Sequence, residues 1–303
     1  MNLEDTLKEF LYHVQAKNFS VRTIKGYRNN NAKFFVYLLS EFSIDELEDI
    51  KPLHVKSYLM FLKNKGRKET YINTILKAIR AFFNFCEEED YVLPKNNPCN
   101  KVKWMKEPKT LIKTFTDDEI KAMINVYNTT TYLEARNKLI IMMFTDLGIR
   151  CLELCDLLES NVTETSIIIR GKGNKERYLY ISPVLKKYMI KYERIKKMYF
   201  KDSLKSYPHY FLSNNGYPLT VTGVEKFIKI AGQKAGVRQE IRCSPHSFRH
   251  YFAQKQLQNG LDVYSLSRLL GHEGIEITKI YLQSLDDTKI VDSAINTSPL
   301  MTI

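Results

Sequence analysis

The chain has 303 residues, 44% of them apolar, and it carries a formal net charge of +12 at pH 7 with an isoelectric point near 9.2. This length suggests two globular domains, and the positive charge favours a polyanionic partner, usually nucleic acid. Apolar runs such as Leu139–Phe144 are far shorter than the roughly 20 residues of a membrane span, and without an export signal or a Cys-x-x-Cys pair we expect a cytoplasmic protein with reduced thiols.

Residues 1–93 are predicted to form a domain of four helices. Apolar residues recur with the helical period in each of them, Ser20 is a suitable N-cap for the second helix, and the third follows Pro52. The residues expected to face the core are Leu3, Leu7, Phe10, Leu11, Val14, Ile24, Tyr27, Phe34, Phe35, Leu38, Val55, Tyr58, Leu59, Leu62, Tyr71, Ile75, Leu76, Ile79, Phe82 and Phe83.

Basic residues on the polar faces of these helices are candidates for contact with a DNA backbone. They are Arg22, Lys25, Arg28, Lys68 and Lys77. The alternative is an ordinary solvated surface, which is what most charged helix faces are.

A basic segment, residues 94–113, is predicted to link this domain to the next. It contains six lysines against one acidic residue, and prolines at positions 94, 98 and 108 disfavour regular structure. Because an extended basic linker can lie along a duplex and neutralise phosphates, Lys101, Lys103 and Lys106 are further candidates for DNA contact. The alternative is a solvated tether.

Residues 114–303 are predicted to form a second domain that contains both helices and strands. Its first helix begins at a capping box that starts with Thr116, and a central apolar helix ends at Gly148. Two β-branched or aromatic runs, 167–170 and 178–181, flank a glycine-rich turn and predict a hairpin. Further helices are expected at 183–199, 220–235, 245–259, 262–270 and 275–283. The expected fold class is therefore mainly α with a small β-sheet.

Five short stretches of this second domain together contain the residue types that phosphodiester transfer requires. Their polar members are Arg150, Lys172, His246, Arg249, His272 and Tyr281. Transfer without a metal needs cations on both non-bridging oxygens, and the planar guanidinium of arginine binds phosphate through two parallel hydrogen bonds. His246 and Arg249, three residues apart, share a helix face. Each stretch alone is weak evidence, but their joint occurrence in this order is specific.

Lys172, His246, His250 and Tyr281 suggest how protons and a covalent bond would be handled. The ammonium of Lys172 can protonate a leaving alkoxide when neighbouring cations lower its pKa. Tyr281 as nucleophile would form a covalent phosphotyrosine, which divides strand exchange into two steps. His246 and His250 have the spacing of metal ligands, but the His-Glu-x-x-His pattern is absent, so neither a metal nor another cofactor is expected.

These motifs resemble those of the tyrosine recombinases of the Xer and phage-integrase family, over nearly the whole chain. The resemblance rests on the Arg-x-x-Glu motif at 150–153, the Gly-Lys-Gly-Asn-Lys-Glu-Arg hairpin at 171–177, the His-Ser-Phe-Arg-His motif at 246–250, Leu-Leu-Gly-His at 269–272, and Tyr281. It implies that Arg150, Lys172, His246, Arg249 and His272 surround the scissile phosphate, that Tyr281 attacks it, and that Glu153 supports Arg150. In the family His246 assists proton transfer at the nucleophile and His272 orients the phosphate.

The resemblance also implies the activity and the partners. A SAM-like core-binding domain and a catalytic domain would clamp double-stranded DNA, and a homotetramer would hold paired recombination sites, with or without accessory DNA-bending proteins. Strands would be cleaved and rejoined through a 3′-phosphotyrosine and a Holliday junction. The resemblance leaves open whether the enzyme integrates and excises a mobile element or acts as an Xer-type resolvase. A separate arm-binding domain is not expected.

Two other functions are compatible with parts of the pattern. One is a non-catalytic DNA-binding or architectural protein, and the other is an enzyme resembling type IB topoisomerases that relaxes supercoils. No key position looks degenerate, and the two-domain organisation with its glycine-rich hairpin resembles recombinases more closely. Beyond Tyr281, residues 286–295 have one apolar face and are too few for a stable isolated helix, so they are expected to dock on the catalytic domain or on a neighbouring subunit.

Overall fold

The computed structural model describes residues 1–108, 112–170, 176–203 and 207–282, and the chain divides into two compact units between residues 109 and 110. The helices of the first unit are α1 (Leu3–Ala16), α2 (Val21–Phe42), α3 (Pro52–Asn64) and α4 (Glu69–Glu88). The elements of the second unit are α5 (Asp117–Asn125), α6 (Tyr132–Leu147), α7 (Cys151–Cys155), β1 (Ser166–Arg170), β2 (Glu176–Tyr180), α8 (Pro183–Tyr199), α9 (Val221–Lys234), α10 (Pro245–Gln258), α11 (Val263–Leu270) and α12 (Glu276–Lys279). The mainly helical fold class with a small sheet is confirmed. Across the described residues, no helix combines the length and the hydropathy that crossing a membrane requires.

The first unit is a bundle of four helices around one apolar core. Ser20 caps α2 by accepting a hydrogen bond from the backbone N–H of Thr23, as its position predicts. Aromatic rings fill much of the core, and Phe10 packs edge-on against Phe82 with ring centroids 5.8 Å apart. The residues that the sequence predicts to face this core are buried in it or packed against it, with one exception.

The exception is Tyr71, for which the prediction is wrong. Its side chain is 40% exposed, whereas that of the next residue, Ile72, is fully buried. The buried stripe of α4 runs through Ile72, Ile75 and Ile79 at spacings of three and four. Because successive residues of an α-helix are about 100° apart around its axis, position 71 lies on the edge of the stripe and faces solvent.

The basic segment after α4 contributes to the first unit as far as it is described. The side chain of Val102 is buried in the core of that unit. Arg80 of α4 donates a hydrogen bond to the carbonyl of Val102, and its guanidinium lies 4.3 Å from the centre of the Trp104 ring. Residues 94–108 are therefore packed on the helical bundle rather than extended away from it.

The second unit is built around α6. Most side chains of this helix are buried, and it packs against α5, α8 and α10. The capping box predicted at Thr116 is present, because Thr116 and Glu119 exchange backbone-to-side-chain hydrogen bonds at the start of α5. Strands β1 and β2 pair antiparallel, with Ile169 opposite Arg177.

The end of the described chain differs from the prediction of a helix over 275–283. Helix α12 covers only Glu276–Lys279, and the backbone N–H of Tyr281 donates to the carbonyl of Thr278, three residues earlier. This tighter turn takes Tyr281 out of the regular helix. The segment 286–295, which is predicted to dock, lies outside the described residues.

Candidate active site

Arg150 reaches its position through a tight turn after α6. Gly148 is the left-handed C-cap of this helix, with a φ of +56°, and a Cβ here would lie 2.3 Å from the ring of Phe252. Glycine satisfies both constraints. The side chain of Arg150, at the start of α7, is 42% exposed and donates hydrogen bonds to Glu153 at 2.9 Å and to the carbonyl of Gly271 at 3.0 Å. The guanidinium is thus held by the protein while part of it stays open to solvent.

Arg249 of α10 is buried, with only 4% of its surface exposed. Its two terminal nitrogens donate to the carbonyl of Gly148 at 2.7 Å and to that of Leu270 at 2.5 Å. Burial, followed by the positive charge of Arg150, lowers the pKa of Arg249 to about 10. The group therefore remains charged at neutral pH, and it joins the turn after α6 to the end of α11.

The C-terminal end of α11 presents three consecutive carbonyl groups to three arginines. Leu269 accepts from Arg177 at 2.9 Å, Leu270 from Arg249 at 2.5 Å, and Gly271 from Arg150 at 3.0 Å. The last carbonyls of a helix lack partners within the helix and carry the negative end of its dipole, so they suit cations. Gly271 ends α11 with a φ of +63°. This helix end therefore sets the relative positions of three guanidinium groups.

Glu153 lies between Arg150 and Arg177, and Arg177 is not among the site residues predicted from the sequence. Arg177 donates to both carboxylate oxygens, at 2.9 and 2.6 Å, and each of these two side chains is only 11% exposed. Burial by itself would raise the pKa of Glu153, but the hydrogen bonds and charges of Arg177 and Arg150 outweigh it and lower the pKa to about 2. The sequence could have indicated this role for Arg177. Side chains alternate between the two faces of a strand, so Arg177 shares a face with the buried Leu179, and a charged group on a buried face requires a partner of opposite charge.

Replacing Glu153 with glutamine is expected to destabilise the fold in a pH-dependent way. Because the pKa of this carboxyl is depressed in the folded state, its ionised form stabilises the protein above pH 4.5, and the contribution is lost as the pH falls towards about 2. A shift of this size corresponds to about 3 kcal/mol in the free energy of unfolding. Urea unfolding at pH 7 and pH 3 measures the difference in the free energy of unfolding between the parent and Glu153→Gln, and Glu164→Gln is the control at an exposed position. A difference of the same size at both pH values would contradict the prediction.

Tyr281 is almost fully buried among apolar side chains of α10 and α11. Its hydroxyl lies 3.0 Å from Nδ1 of His250, the second histidine of the motif on α10. Burial raises the pKa of Tyr281, while the charges of Arg249 and Arg150 act in the opposite direction. His246 is exposed one helical turn earlier, with its ring edge-on to that of His250 and the centroids 4.2 Å apart.

His272 directly follows the end of α11, within reach of the arginine charges. Its Nδ1 lies 2.7 Å from Oγ1 of the buried Thr278, which fixes the orientation of the ring and leaves Nε2 to bind an external oxygen. Burial, followed by the charges of Arg249, Arg150 and Arg177, lowers the pKa of His272 to about 4. This imidazole is therefore neutral at pH 7 and can act as a hydrogen-bond donor.

The structure thus brings Arg150, Glu153, Arg249, His272 and Tyr281 into one cluster with the two histidines of α10. Lys172 lies outside the described residues, and the strand pairing that flanks it ends at Arg170 and Glu176. Within the part of the chain that the structure describes, no three His, Cys, Asp or Glu side chains are grouped so that they could hold a metal ion.

The predicted DNA-contact residues of the first unit are exposed side chains. They are Arg22, Lys25 and Arg28 on α2, Lys68 and Lys77 at the start and middle of α4, and Lys101, Lys103 and Lys106 after it. The three residues on α2 are spaced by three positions, so they lie along one side of the helix.

Models of known protein families match both units. The model described as the phage integrase family matches residues 113–288, and the model of the phage integrase N-terminal SAM-like domain matches residues 7–90. Tyrosine recombinase XerC of Bacillus pumilus (strain SAFR-032) is 31% identical over 286 residues, which cover 92% of each protein. Tyrosine recombinase XerD of Halalkalibacterium halodurans is 30% identical over 285 residues, which cover 92% of this chain and 93% of that protein.

Solved structures share the fold. The XerH site-specific recombinase bound to a palindromic difH substrate superposes with a TM-score of 0.77 at 19% identity, over 98% of this chain and 84% of that one. The Tn1549 transposon integrase in complex with transposon right end DNA gives a TM-score of 0.72 at 16% identity, over 98% and 99% of the two chains. Because one family model spans more than half of the chain and a relative above 30% identity matches most of it, this chain belongs to the phage integrase family of tyrosine recombinases, enzymes that cleave and rejoin DNA strands.

Proposed function

We propose that this protein is a site-specific recombinase that uses the cluster around the end of α11 to cleave and rejoin DNA through a 3′-phosphotyrosine and a Holliday junction. One observation carries the proposal: three consecutive carbonyls hold three guanidinium groups beside a buried tyrosine hydroxyl. Fixed cations of this kind stabilise the charge that develops on a phosphodiester during transfer, without reorganisation at the moment of reaction.

Each predicted residue has a role in one balanced step. Arg150 and Arg249 bind the non-bridging oxygens, and His272 donates a further hydrogen bond to them. The phenol proton of Tyr281 passes to His246 while the phenol oxygen forms a bond to phosphorus and the bond from phosphorus to the 5′ oxygen breaks. Lys172 gives a proton to the departing 5′ oxygen, and the reverse step, with the 5′ hydroxyl of another strand, rejoins the DNA.

We further propose that the enzyme acts in the cytoplasm as a homotetramer on two paired sites in double-stranded DNA, with or without DNA-bending accessory proteins. The exposed basic side chains of α2, of α4 and of the segment after α4 would contact the DNA backbone. Neutralising phosphates in this way releases counterions, so binding should weaken steeply as salt increases. This chemistry serves either the integration and excision of a mobile element or the resolution of dimers.

Trapping covalent adducts tests the proposed function. The protein is incubated with DNA fragments from its own genomic neighbourhood, each carrying nicks that prevent religation, and protein-linked DNA is sequenced. A recombinase should attach to a 3′ phosphate at one defined sequence. Adducts spread over many sequences, together with relaxation of a plasmid that lacks the site, would instead favour a topoisomerase. The absence of any adduct would favour a non-catalytic DNA-binding protein.

Lys172→Ala is expected to slow cleavage about a hundredfold, because general acid catalysis of this kind contributes at least that much. A substrate with sulfur in place of the bridging 5′ oxygen should restore the rate, since a thiolate leaves without a proton. Single-turnover cleavage of the oxygen and sulfur substrates by the parent, Lys172→Ala and Arg150→Ala measures the difference. Rescue of Arg150→Ala but not of Lys172→Ala would reverse the assigned roles.

Truncation after Ser284 tests the proposed docking of residues 286–295 on a neighbouring subunit. Binding to a single site should stay close to that of the parent, because the DNA-contact residues are retained. Cooperative binding to paired sites and complete recombination should fall sharply. Gel shifts with one and two sites, and a plasmid recombination assay, measure both effects. A truncated protein that still recombines normally would show that the segment only braces its own domain.

A further inference from the structure

Helix α8 presents a row of basic side chains to solvent on the side away from the core. Its inner side, through Leu185, Met189 and Tyr192, is buried in the second unit. Because successive residues lie about 100° apart around a helix, the side chains between these positions form the outward half of α8. The five basic residues of that half, which we call the α8 stripe, are Lys186, Lys187, Lys191, Arg194 and Lys197.

The charges of the α8 stripe are not neutralised by the protein. In the part of the chain that the structure describes, none of the five residues forms an ion pair. Glu193, the one acidic residue of α8, accepts a hydrogen bond from the hydroxyl of Tyr210 at 2.7 Å. Lys196, the one lysine of α8 outside the stripe, is nearly buried and pairs with Glu159. The stripe therefore presents five positive charges to solvent.

The spacing within the stripe is unfavourable for a helix without a partner. Lys187 and Lys191 are four residues apart, and Arg194 and Lys197 follow at intervals of three. Residues at these spacings are neighbours on a helix surface, where like charges repel each other and destabilise the helix. A polyanion bound along the stripe would remove this repulsion.

The stripe has the shape and the length of a surface that binds a polymer of phosphates. It contributes to a groove of about 530 Å³ that is open to solvent and is lined by Pro183, Lys186, Lys187, Ile190, Lys191 and Arg194. Four of these six residues are cationic and none of the six is acidic. From the first residue of the stripe to the last, the helix rises by about 16 Å. Because duplex DNA carries one negative charge per roughly 1.7 Å of its axis, this length can face several phosphates at once.

The stripe leads away from the active site along α6. The ring of Tyr199, at the end of α8, stacks on that of Tyr132 at the start of α6, with centroids 4.7 Å apart. The ammonium of Lys138, further along α6, lies 5.6 Å from the ring centre of Tyr188. The two helices therefore run antiparallel, and the end of α8 lies beside the start of α6. Arg150 follows the other end of α6, about 24 Å away along its 16 residues.

We propose that the α8 stripe binds the backbone of flanking duplex DNA, meaning duplex beyond the shortest stretch that the enzyme needs for cleavage. The inference goes beyond the proposed function and takes from it only that the polyanion is DNA. Basic side chains that neutralise phosphates release condensed counterions and read no bases, so the stripe would hold any sequence. An acidic protein surface carries the same sign of charge, but this chain belongs to a family that acts on DNA strands, and DNA is present whenever such an enzyme cleaves. The stripe would thus give the catalytic unit a second contact with DNA, remote from the scissile phosphate.

A triple variant that combines Lys187→Gln, Arg194→Gln and Lys197→Gln tests the inference. The three positions are exposed, and glutamine removes the charge while keeping a high helix propensity, so α8 should fold as in the parent. Binding is measured by fluorescence anisotropy on two duplexes that carry the cleaved site. The minimal duplex is the shortest that the parent cleaves at its full rate, and the extended duplex adds several helical turns of unrelated sequence on each side. On the extended duplex, the slope of log affinity against log salt should become shallower by about 2.7, because each phosphate contact contributes about 0.9.

The minimal duplex and a charge-matched variant are the controls. On the minimal duplex, the affinity, the salt dependence and the single-turnover cleavage rate of the stripe variant should equal those of the parent. The matched variant combines Lys8→Gln, Lys17→Gln and Lys121→Gln, which removes the same charge from exposed lysines that are paired with carboxylates. It should keep the salt dependence of the parent on both duplexes, which separates direct contact from an effect of net charge.

Two results would overturn the inference. One is a stripe variant with the salt dependence of the parent on the extended duplex, because the stripe would then be a solvated face or a site for an acidic protein. The other is an equal loss on both duplexes with slower cleavage of the minimal one, because the stripe would then contact the cleaved site itself. If the parent formed no covalent adduct, the proposed function would fail, but the salt dependence of binding to a long duplex of arbitrary sequence would still decide whether the stripe contacts DNA.

Discussion

Tyr281→Phe is expected to abolish covalent attachment to DNA while leaving DNA binding close to that of the parent. The change removes one oxygen atom from a buried ring, so the packing against α10 and α11 should be preserved. The lost hydrogen bond to His250 should cost only about 1 kcal/mol in the free energy of unfolding. With a nicked substrate, the parent should become linked to a 3′ phosphate and release a 5′ hydroxyl, whereas the variant should form no adduct.

The matched control for this prediction is Tyr251→Phe. Tyr251 also lies on the catalytic unit, and its hydroxyl donates to Asp117 at 2.9 Å, so the control removes the same atom and a comparable hydrogen bond. It should form adducts at the parent rate. Adduct formation by Tyr281→Phe would reject Tyr281 as the nucleophile, and peptide mapping of that adduct would identify the residue that attacks instead.

Much of the fold could be predicted because single local side chains determine where its helices begin and end. Ser20 and Thr116 each accept a hydrogen bond from a backbone N–H in the first turn of their helices, and Gly148 adopts the left-handed conformation that ends α6. These signals act over three or four residues. The error at Tyr71 arises because an aromatic residue next to an apolar stripe fits the helical period almost as well as Ile72 does.

The contacts of the site that were missed are made between residues far apart in the chain. Arg177 meets Glu153 only because the pairing of β1 with β2 turns it towards the buried face, 24 residues from its partner. His250 meets Tyr281 across 31 residues. Arg80 meets the carbonyl of Val102 across 22 residues, and the lysines around Val102 do not predict this contact. Residue types and order therefore indicate the chemistry, whereas the partner of each group depends on tertiary packing.

The role of the Leu-Leu-Gly-His motif shows the same limit. The resemblance predicts that its histidine orients the phosphate, and it predicts no role for the three residues before it. In the structure, the backbone carbonyls of these residues accept hydrogen bonds from Arg177, Arg249 and Arg150. Hydrogen bonds that backbone carbonyls accept cannot be predicted from the types of the side chains. The glycine that ends the helix is the exception, because it indicates where the free carbonyls lie.

This arrangement leads to a second prediction of large effect, for Arg249→Lys. Lysine keeps the positive charge, but a single ammonium cannot reproduce the planar fork that donates to the carbonyls of Gly148 and Leu270 while facing a phosphate. Removal of one preorganised donor typically costs about 2.7–4 kcal/mol in the transition state, so we expect cleavage to slow by about 10²- to 10³-fold. Single-turnover cleavage and equilibrium binding to the same nicked site measure the effect.

Charge alone and donor geometry make different predictions for this variant. If only the charge at position 249 matters, Arg249→Lys should cleave within about fivefold of the parent, and this result would contradict the role assigned to the end of α11. The control is Arg238→Lys, the same substitution at a more exposed arginine that pairs with Glu119, and it should cleave normally. The lysine variant leaves at least one buried carbonyl without its donor. Its free energy of unfolding, measured by urea denaturation, should therefore be lower than that of the parent by about 1–3 kcal/mol. Slow cleavage with unchanged DNA affinity would show that the end of α11 positions Arg249 for the transition state rather than for binding.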